Sequence, residues 1–201
     1  MFIKDNVQLL ENVIPEELSD QIEGALFHNE FPWYYYPTHV VPENDSRYYA
    51  FDQDNIVECP GLIHNFCEDG VVSSTYNQFF VDLLQNVEVS SNIKIDKLFR
   101  IRGRLCLRHP GKEESHNGAH IDYHMEEDFY SMIYYVNTSD GDTVIFDKKQ
   151  NFDVSEKPSI MHRYKPKKGN FLLFDGKMYH AGNFPSHNAS RATINYVFTV
   201  K

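Results

Sequence analysis

The spacing of apolar residues divides the chain into a helical first part and a strand-rich second part. From Pro15 to about His28, apolar side chains recur every three or four residues, and two glutamates occupy the first turn. The segment from Ser74 to Gln85 repeats this spacing, with aromatic and leucine side chains on one side. Both segments are therefore predicted to be amphipathic helices that cover a core.

The stretch between these helices, residues 31–53, has neither a helical nor a strand period. It combines aromatic residues with prolines and turn-forming residues in the run FPWYYYPTHVVPENDSRYYAFDQ. This composition predicts a loop with short strands. The loop either packs over the core or forms one wall of a substrate pocket, and the sequence leaves both interpretations open.

In the second half of the chain the apolar period becomes that of a strand. Within Leu98–Leu107, apolar residues alternate with Arg100, Arg102, Arg104 and Cys106, so the arginines are predicted to share one face. Gly- and Asp-rich turns separate the other strand-like runs, which are Ser131–Asn137, Thr143–Phe146, Asn170–Phe174 and Ala192–Val200.

Many short strands that follow two helices are typical of an α+β protein that is mainly β. We expect a β-sandwich or jelly-roll barrel, braced by the N-terminal helices, in a single domain over residues 1–201. Residues 1–96 would supply the helical support and the substrate-side loops. Residues 97–201 would form the barrel core.

The last strand-like run carries polar residues on one face. Arg191, Thr193 and Asn195 share one parity, whereas the alternate positions from Ala192 to Val200 are apolar. The apolar face is predicted to pack outward against the helices, because an apolar stripe needs cover. The polar face would then point into the barrel, where an arginine is unfavourable unless a polar ligand accompanies it. The run therefore predicts a ligand site inside the barrel.

The composition restricts the class of protein without naming a reaction. The chain has 201 residues, with 29 acidic residues against 19 lysines and arginines, and a formal net charge of −10. Nucleic-acid-binding domains usually carry a basic stripe, so the charge disfavours a nucleic-acid partner. No long apolar run and no signal-peptide pattern is present, and the three cysteines are widely spaced. We therefore expect a cytoplasmic protein without a membrane span.

Three residues of the second half have the types and spacing of a metal site. His120 and Asp122, two residues apart in an extended segment, would point to the same side and could bind one ion. His180 follows a strand-like run and would lie at a strand end. Each of these residues alone is as well explained by a surface or structural role. Together, two histidines and one carboxylate leave positions open on an octahedral metal, as in non-haem Fe(II) oxygenases.

The ordered motifs resemble those of the Fe(II)/2-oxoglutarate-dependent dioxygenase superfamily, in its prolyl 4-hydroxylase-like branch, which includes small phage and bacterial enzymes. The similarity covers roughly residues 99–200. The matching motifs are HPG at 109–111, HID at 120–122, IYYVN at 133–137, GDTVIF at 141–146, KKGNFLLFDG at 167–176, MYHAG at 178–182 and RATINYVF at 191–198. Their order and spacing are more specific than any single motif.

The resemblance implies a fold, a metal and a reaction. The fold is a double-stranded β-helix, a jelly-roll or cupin-like barrel, in which His120, Asp122 and His180 bind Fe(II). The implied enzyme is a hydroxylase that uses O₂ and 2-oxoglutarate and releases succinate and CO₂, with ascorbate as a candidate reductant. A bacterium or a phage-infected cell is the implied source. Peptide (prolyl or other residue) hydroxylation is the first substrate class, a free amino acid or other small molecule the second, and a nucleobase the last.

The resemblance also assigns residues to 2-oxoglutarate. Its distal carboxylate would bind Arg191 and Tyr135, with Thr193 as a hydroxyl partner. Arginine suits this role because its planar guanidinium can hold a carboxylate through two hydrogen bonds. Two alternatives to this chemistry stay open. One is a non-catalytic jelly-roll binding module, and the other is a cupin-like metalloenzyme in which Arg191 would have no role.

A further pocket residue is expected on the strand before the HID motif, and two arguments disagree about it. Alignment through the Pro-Gly pair at 110–111 selects His109. Strand parity instead turns Arg102 and Arg104 inward, unless a bulge at Gly103 reverses the parity. Both Arg104 and His109 therefore remain candidates for binding the co-substrate.

The segment that follows the HID motif is rich in acids. Residues 123–128 are expected at the mouth of the pocket, where Glu126, Glu127 and Asp128 would favour a cationic or polar substrate. A solvated acidic loop is the alternative. Two further histidines, His116 and His124, could mimic a second metal site but are expected at the surface.

Overall fold

The computed structural model describes residues 7–37, 60–109, 116–153 and 155–201. Its helices are α1 (Glu16–Leu26) and α2 (Asn77–Ser91). The strands of the first half are β1 (Val7–Leu10), β2 (Tyr34–Tyr36), β3 (Gly61–Glu68), β4 (Val71–Val72) and β5 (Ile95–Leu107). Those of the second half are β6 (Tyr130–Tyr135), β7 (Thr143–Lys149), β8 (Ile160–Tyr164), β9 (Phe171–Asp175), β10 (Met178–Gly182) and β11 (Ser190–Val200).

Both predicted helices are present. Helix α1 agrees with its predicted range and carries two acids in its first turn, where carboxylates interact favourably with the helix dipole. Helix α2 extends to Ser91 rather than Gln85, because the buried Val87 continues its apolar side. The chain then leaves the helix at Asn92, whose φ of 54° is the left-handed conformation common after a helix end. Neither helix is long and apolar enough to cross a membrane.

The strands form two antiparallel sheets. In the described residues the large sheet has the order β1-β9-β6-β11-β5-β3-β2, with β4 beside β3, and the small sheet has the order β10-β7-β8. Strand β11 pairs with β6 on one side and with β5 on the other, so the last strand lies in the middle of the sheet. The predicted mainly-β jelly roll, a double-stranded β-helix braced by helices, is therefore confirmed.

The core has an outer and an inner layer. The outer layer joins the helices to the large sheet and includes Ile22 of α1, Phe80 of α2 and Ile194 of β11. The inner layers lie between the two sheets, where residues of β6, β9 and β11 meet those of β7 and β10. Strands β5 and β11 therefore present one face to the helices and the other to the space between the sheets.

Strand β11 has the two faces that its sequence predicts. Its apolar positions from Ala192 to Phe198 are buried in the outer core. The Tyr196 hydroxyl donates a hydrogen bond to the Phe80 carbonyl of α2, 3.3 Å away. The polar positions face inward, as described below.

Strand β5 also keeps the predicted parity at its arginines. Ile194 pairs with Gly103 and Asn195 with Arg102 in unbroken register, so the alternation between Arg102 and Arg104 is not reversed. The irregularity lies earlier, at Phe99, which is skipped between the Leu98 and Arg100 pairs. Phe99 consequently packs with the inner cluster rather than with the face predicted for it.

Several elements were not predicted. Strands β1, β3, β4, β8 and β10 have short or irregular apolar patterns, and pairing with distant strands stabilises them instead. The expectation that His116 lies at the surface is wrong, because the residue is 1% exposed and its ring packs against Phe146. Most of the predicted loop at 31–53, and the Pro-Gly pair at 110–111, lie outside the described residues.

Candidate active site

The structure brings His120, Asp122 and His180 together at one end of the space between the sheets. Their ligand atoms all lie within 4.8 Å of one another. The Nε2 atoms of His120 and His180 lie 3.9 Å and 3.4 Å from oxygens of the Asp122 carboxylate. A two-residue bridge between the backbones of His120 and His180 fixes the loop against strand β10. These distances suit one ion placed between three donor atoms.

Both histidines direct the same ring nitrogen toward the metal position. The His120 Nδ1 atom lies 3.1 Å from the Gly118 carbonyl, and the His180 Nδ1 atom lies 3.3 Å from the Met178 carbonyl. A carbonyl can only accept, so Nδ1 is the donor in both hydrogen bonds and Nε2 is the ring nitrogen that faces the metal position. Burial, together with the neighbouring His180, lowers the pKa of His120 to about 3. His120 is therefore neutral at physiological pH, as a metal ligand must be.

Three side chains hold the Asp122 carboxylate. Arg100 donates to Oδ1 at 2.6 Å, and Ser131 and Asn195 donate to Oδ2 at 2.8 and 2.9 Å. Burial alone would raise the pKa of Asp122, but His180, Arg100 and the hydrogen bonds hold it well below its ordinary value. The carboxylate is thus ionised and fixed in orientation.

Sequence reasoning identified the inward positions of Arg100 and Asn195 but not their contact with Asp122. Only the parity of their strands indicated them. Ser131 carried no signal beyond its place in a strand-like run.

A cavity of about 210 Å³ lies beside these three residues. Its lining comes from strands of both sheets and includes Arg100, Arg102, Arg104, Thr143, Arg191, Thr193 and Asn195. Pockets for drug-sized ligands usually measure about 300–1,000 Å³, so this cavity suits a small co-substrate and only part of a second molecule.

Arg191 occupies the inner wall of this cavity. It is 4% exposed, its Nη2 atom donates to the Thr143 hydroxyl at 2.8 Å, and its Nε atom has no hydrogen-bond partner among the described residues. The Tyr135 hydroxyl also donates to Thr143, at 2.9 Å. Burial raises the pKa of Tyr135 to about 12, so this hydroxyl stays protonated and remains a donor. Thr193 pairs with Tyr135 across the strands and lines the same cavity.

Thr143 was missed as a pocket residue, although it lies in the GDTVIF motif. It belongs to the small sheet, whereas Arg191 and Tyr135 belong to the large one. The contact between them depends on how the sheets face each other, which no local pattern specifies.

Two glycines make room for the Arg191 side chain. A Cβ atom at Gly141 would lie 3.0 Å from Arg191 Cδ and 2.6 Å from the Asn183 carbonyl. A Cβ atom at Gly182 would lie 3.2 Å from Arg191 Nη1. A larger residue at either position would crowd the Arg191 side chain. Both glycines therefore leave the space that this side chain occupies.

The residues present fit the two groups that this chemistry requires, which are a metal ion and an anionic co-substrate. Two imidazoles and one ionised carboxylate form the donor set of a non-haem Fe(II) centre. The buried Arg191, with an unpaired Nε, fits a carboxylate that arrives with the co-substrate.

The two candidates on strand β5 have different positions. Arg104 lines the cavity. His109 is not among the described residues that line it, and its ring lies beside Phe184, with centroids 6.0 Å apart.

The acidic segment after the HID motif agrees with the solvated-loop alternative and not with a position at the pocket mouth. Asp128 forms an ion pair with Lys177 at 3.0 Å, and the Glu126 carbonyl accepts from the same lysine. Glu126, Glu127 and Asp128 are exposed and are absent from the cavity lining. The described lining is rich in arginine instead.

The sequence matches the model of one protein family. The family model described as the 2OG-Fe(II) oxygenase superfamily matches residues 105–199. This range contains the three candidate metal ligands and Arg191. No curated protein sequence gives a significant match.

Solved structures share the fold at low sequence identity. An oxidoreductase of the 2OG-Fe(II) oxygenase family from Burkholderia pseudomallei is 12% identical with a TM-score of 0.65, over 98% of this chain and 86% of that one. A prolyl hydroxylase from Trichoplax adhaerens, solved with a peptide fragment of the hypoxia inducible factor oxygen degradation domain, is 14% identical with a TM-score of 0.56, over 97% and 84%. The non-heme alpha ketoglutarate dependent epimerase SnoN from nogalamycin biosynthesis is 8% identical with a TM-score of 0.59, over 96% and 78%.

At these identities the structural likeness establishes a common fold, and a prolyl hydroxylase is among the proteins that have it. The family model adds the match in sequence, and its range agrees with the ordered motifs. Residues 105–199 therefore match the 2OG-Fe(II) oxygenase superfamily in sequence, and the chain shares its fold with a solved oxidoreductase of that family.

Proposed function

We propose that this protein is an Fe(II)- and 2-oxoglutarate-dependent dioxygenase that hydroxylates a peptide residue or a small molecule and releases succinate and CO₂. One observation carries the proposal. The cavity that contains the His120, Asp122 and His180 cluster also contains Arg191, a buried arginine with an unpaired Nε. A metal site alone would suit a cupin-like enzyme equally well, whereas the arginine requires an anionic co-substrate.

The three clustered residues would hold the metal. Fe(II) bound there would supply the activation of O₂ that accompanies oxidative decarboxylation of 2-oxoglutarate. The carbonyls of Gly118 and Met178 orient the two imidazoles so that their Nε2 atoms face the metal position. Arg100, Ser131 and Asn195 hold the third ligand, so little reorganisation is needed when the metal binds.

Arg191 would bind the distal carboxylate of 2-oxoglutarate. Thr143 and Thr193 line the cavity, and the Thr143 hydroxyl accepts hydrogen bonds from Arg191 and from the Tyr135 hydroxyl. Tyr135 can redirect its hydrogen bond from Thr143 to the carboxylate. Ile121 and Ile133 supply apolar lining, which limits the water that reaches the reacting groups.

The size of the cavity supports two substrate classes. A peptide could insert one side chain, and a small molecule could insert the group that reacts. The Trichoplax adhaerens prolyl hydroxylase was solved with a peptide, and the epimerase SnoN comes from nogalamycin biosynthesis, so the fold serves both kinds of chemistry. Peptide hydroxylation remains our first choice because the sequence motifs resemble the prolyl 4-hydroxylase-like branch.

The test is a screen of peptides, free amino acids and nucleosides with Fe(II), 2-oxoglutarate and ascorbate. We expect one class to gain the mass of a single oxygen atom, with an equal amount of succinate formed. The His180→Ala variant should lose this activity because the metal loses one of its three ligands. The matched control is His162→Ala, since His162 is an exposed histidine of β8, away from the cluster.

Two results would contradict the proposal. Full turnover by His180→Ala would remove that residue from the metal site. Binding of Mn(II) and N-oxalylglycine by the wild type, without turnover of any substrate class, would favour the non-catalytic module.

A further inference from the structure

Four arginines line the cavity, and three of them have an assigned partner. Arg100 bonds to Asp122, and Arg102 pairs with Glu68 at 3.0 Å and with Asn65 at 2.7 Å. Arg191 is assigned to the co-substrate by the proposed function. Arg104 is the fourth.

Arg104 has an unsatisfied guanidinium. Its Nε and Nη2 atoms are closed to solvent and have no hydrogen-bond partner among the described residues, and no carboxylate of these residues forms an ion pair with it. The groups that act on it include the Cys106 thiol, which helps to hold it, and Arg191, which repels it. Burial lowers the pKa of Arg104, yet an arginine stays charged in proteins. A desolvated charge is unfavourable unless it is paired, so a guanidinium with two unpaired nitrogens beside the cavity suits an anion that enters the cavity.

The position of Arg104 separates it from the co-substrate carboxylate. Thr193 of β11 pairs with Tyr135 of β6 on one side and with Arg104 of β5 on the other. Neighbouring strands lie about 4.8 Å apart, so the backbones of Tyr135 and Arg104 are about 10 Å apart. The Thr143 and Tyr135 hydroxyls that accompany Arg191 lie on the β6 side. Arg104 lies on the opposite side, toward β3 and β2.

The β2 side of Arg104 is the more open one. Tyr36 of β2 is 38% exposed and acts electrostatically on the Arg104 guanidinium. Strand β2 is the edge of the large sheet in the described residues.

We propose that Arg104 is a specificity-determining residue that binds a carboxylate of the hydroxylated substrate, so that the enzyme selects acidic substrates. The inference rests on the proposed function and names its substrate class. Suitable molecules are a free amino acid, a peptide with its C-terminal carboxylate near the reacting residue, or a peptide with an acidic side chain there. This reverses the preference for cationic substrates that the acidic segment 126–128 suggested.

The first experiment measures anion binding beside the metal. The protein is saturated with Mn(II) and N-oxalylglycine, and the ¹⁹F relaxation of added trifluoroacetate is compared with that of neutral trifluoroacetamide. We expect Mn(II) to accelerate the relaxation of the anion but not of the amide. In Arg104→Gln the anion should bind about tenfold more weakly, because a charge-assisted bidentate contact is lost. Arg104→Lys should restore part of the effect.

The same variants distinguish the two possible sources of the carboxylate. N-oxalylglycine should bind Arg104→Gln as tightly as wild type, whereas Arg191→Gln should bind it far more weakly. Equal losses in the two variants would assign Arg104 to the co-substrate and overturn the inference. So would trifluoroacetate relaxation that is unchanged in Arg104→Gln, or no faster than that of the amide in the wild type.

Thermal unfolding separates recognition from a structural role. Arg104→Gln removes an unpaired buried charge, so its Tm should equal or exceed that of the wild type. A large fall in Tm would show that Arg104 supports the fold, which would contradict the inference. Failure of the proposed function is recognised separately. If the wild type does not bind Mn(II) with N-oxalylglycine, the proposed function is wrong, and the inference that rests on it is wrong as well.

Discussion

Arg100 of β5, Ser131 of β6 and Asn195 of β11 meet at the carboxylate of Asp122. The Arg100 Nη1 atom also donates to the Asp122 backbone carbonyl at 2.9 Å, so one arginine fixes both the side chain and the backbone of this residue. Arg100 and Asp122 are both buried, with side-chain exposures of 8% and 6%. In such a pair, removal of one partner leaves a buried charge that is poorly compensated.

At this scale we predict that Arg100→Met weakens metal binding. The variant keeps most of the apolar stem but leaves Asp122 free to turn, and loss of such an outer partner typically lowers metal affinity by about 10–100-fold. Titration of Mn(II), followed by calorimetry or by the free-ion EPR signal, measures the change. Arg102→Met is the matched control, because Arg102 faces the same cavity but pairs with Glu68. An equal effect in both variants would argue against a specific role for Arg100.

At the scale of elements, the turn that leads into β11 determines the position of Arg191 at the start of that strand. Asp140, in the connection between β6 and β7, accepts hydrogen bonds from the backbone amides of Ser186, His187 and Asn188 and from the Ser186 hydroxyl. One carboxylate thereby fastens the β10–β11 connection to the neighbouring loop. Gly141, the next residue, allows the backbone of Asn183 to approach closely.

The Asp140 contacts predict a pH-dependent contribution to stability. Partial burial works in the opposite direction, but the hydrogen bonds from Asn188, Ser186 and His187 hold the pKa of Asp140 below its ordinary value. A carboxyl with a depressed folded-state pKa stabilises the protein above its unfolded-state pKa of about 4 and loses this effect as the pH falls below it.

We therefore expect Asp140→Asn to lower the free energy of unfolding by about 1–2 kcal/mol at pH 7, and by progressively less below about pH 4. Urea unfolding across this pH range measures the difference from wild type. Asp82→Asn, at an exposed position of α2, should change stability by less than about 0.5 kcal/mol. A difference at Asp140 that grew as the pH fell would contradict the assignment.

At the scale of the whole molecule, the candidate site joins the two sheets. His180 and Thr143 belong to the small sheet, whereas Arg191 and the residues that hold Asp122 belong to the large one. A metal and a co-substrate bound between them would cross-link the sheets through His180, Asp122 and Arg191. Ligand binding should therefore stabilise the complete fold and not only a local loop.

We predict that Mn(II) with N-oxalylglycine raises the Tm of the wild type. At a concentration about 100 times the Kd, the ligand adds about 2.7 kcal/mol to the free energy of unfolding. For a chain of this length each kcal/mol corresponds to roughly 2–4 °C, so a rise of about 5–11 °C is expected by scanning fluorimetry. His180→Ala should show no comparable rise. A wild type that binds both ligands by calorimetry but keeps its Tm would contradict a site that joins the sheets.

The net charge is also a property of the whole molecule, and it conceals the character of the site. Exposed carboxylates such as those at 126–128 contribute to the formal charge of −10. The cavity that lies between the sheets is lined by four arginines and one aspartate of the described residues. A total charge therefore says little about a small buried site.

Much of this arrangement follows from the sequence alone. The apolar spacing of α1 and α2 and the alternation along β5 and β11 are local properties, and each determines which side chains share a face. From the alternation along β5 and β11, the side chains of Arg104, Arg191 and Thr193 were predicted to point toward the interior. The ordered motifs were enough to select His120, Asp122 and His180 for one cluster and to indicate the superfamily.

Only the tertiary structure decided which faces meet. The contacts of Asp122 with Arg100, Ser131 and Asn195, and the Thr143 hydroxyl beside Arg191, join strands that are far apart in the chain. The same is true of Arg104, two of whose nitrogens have no hydrogen-bond partner among the described residues, which is visible only when the neighbouring strands are in place. Periodicity specifies the direction of a side chain, whereas its partners depend on strand order and on how the two sheets face each other, and no local pattern contains that information.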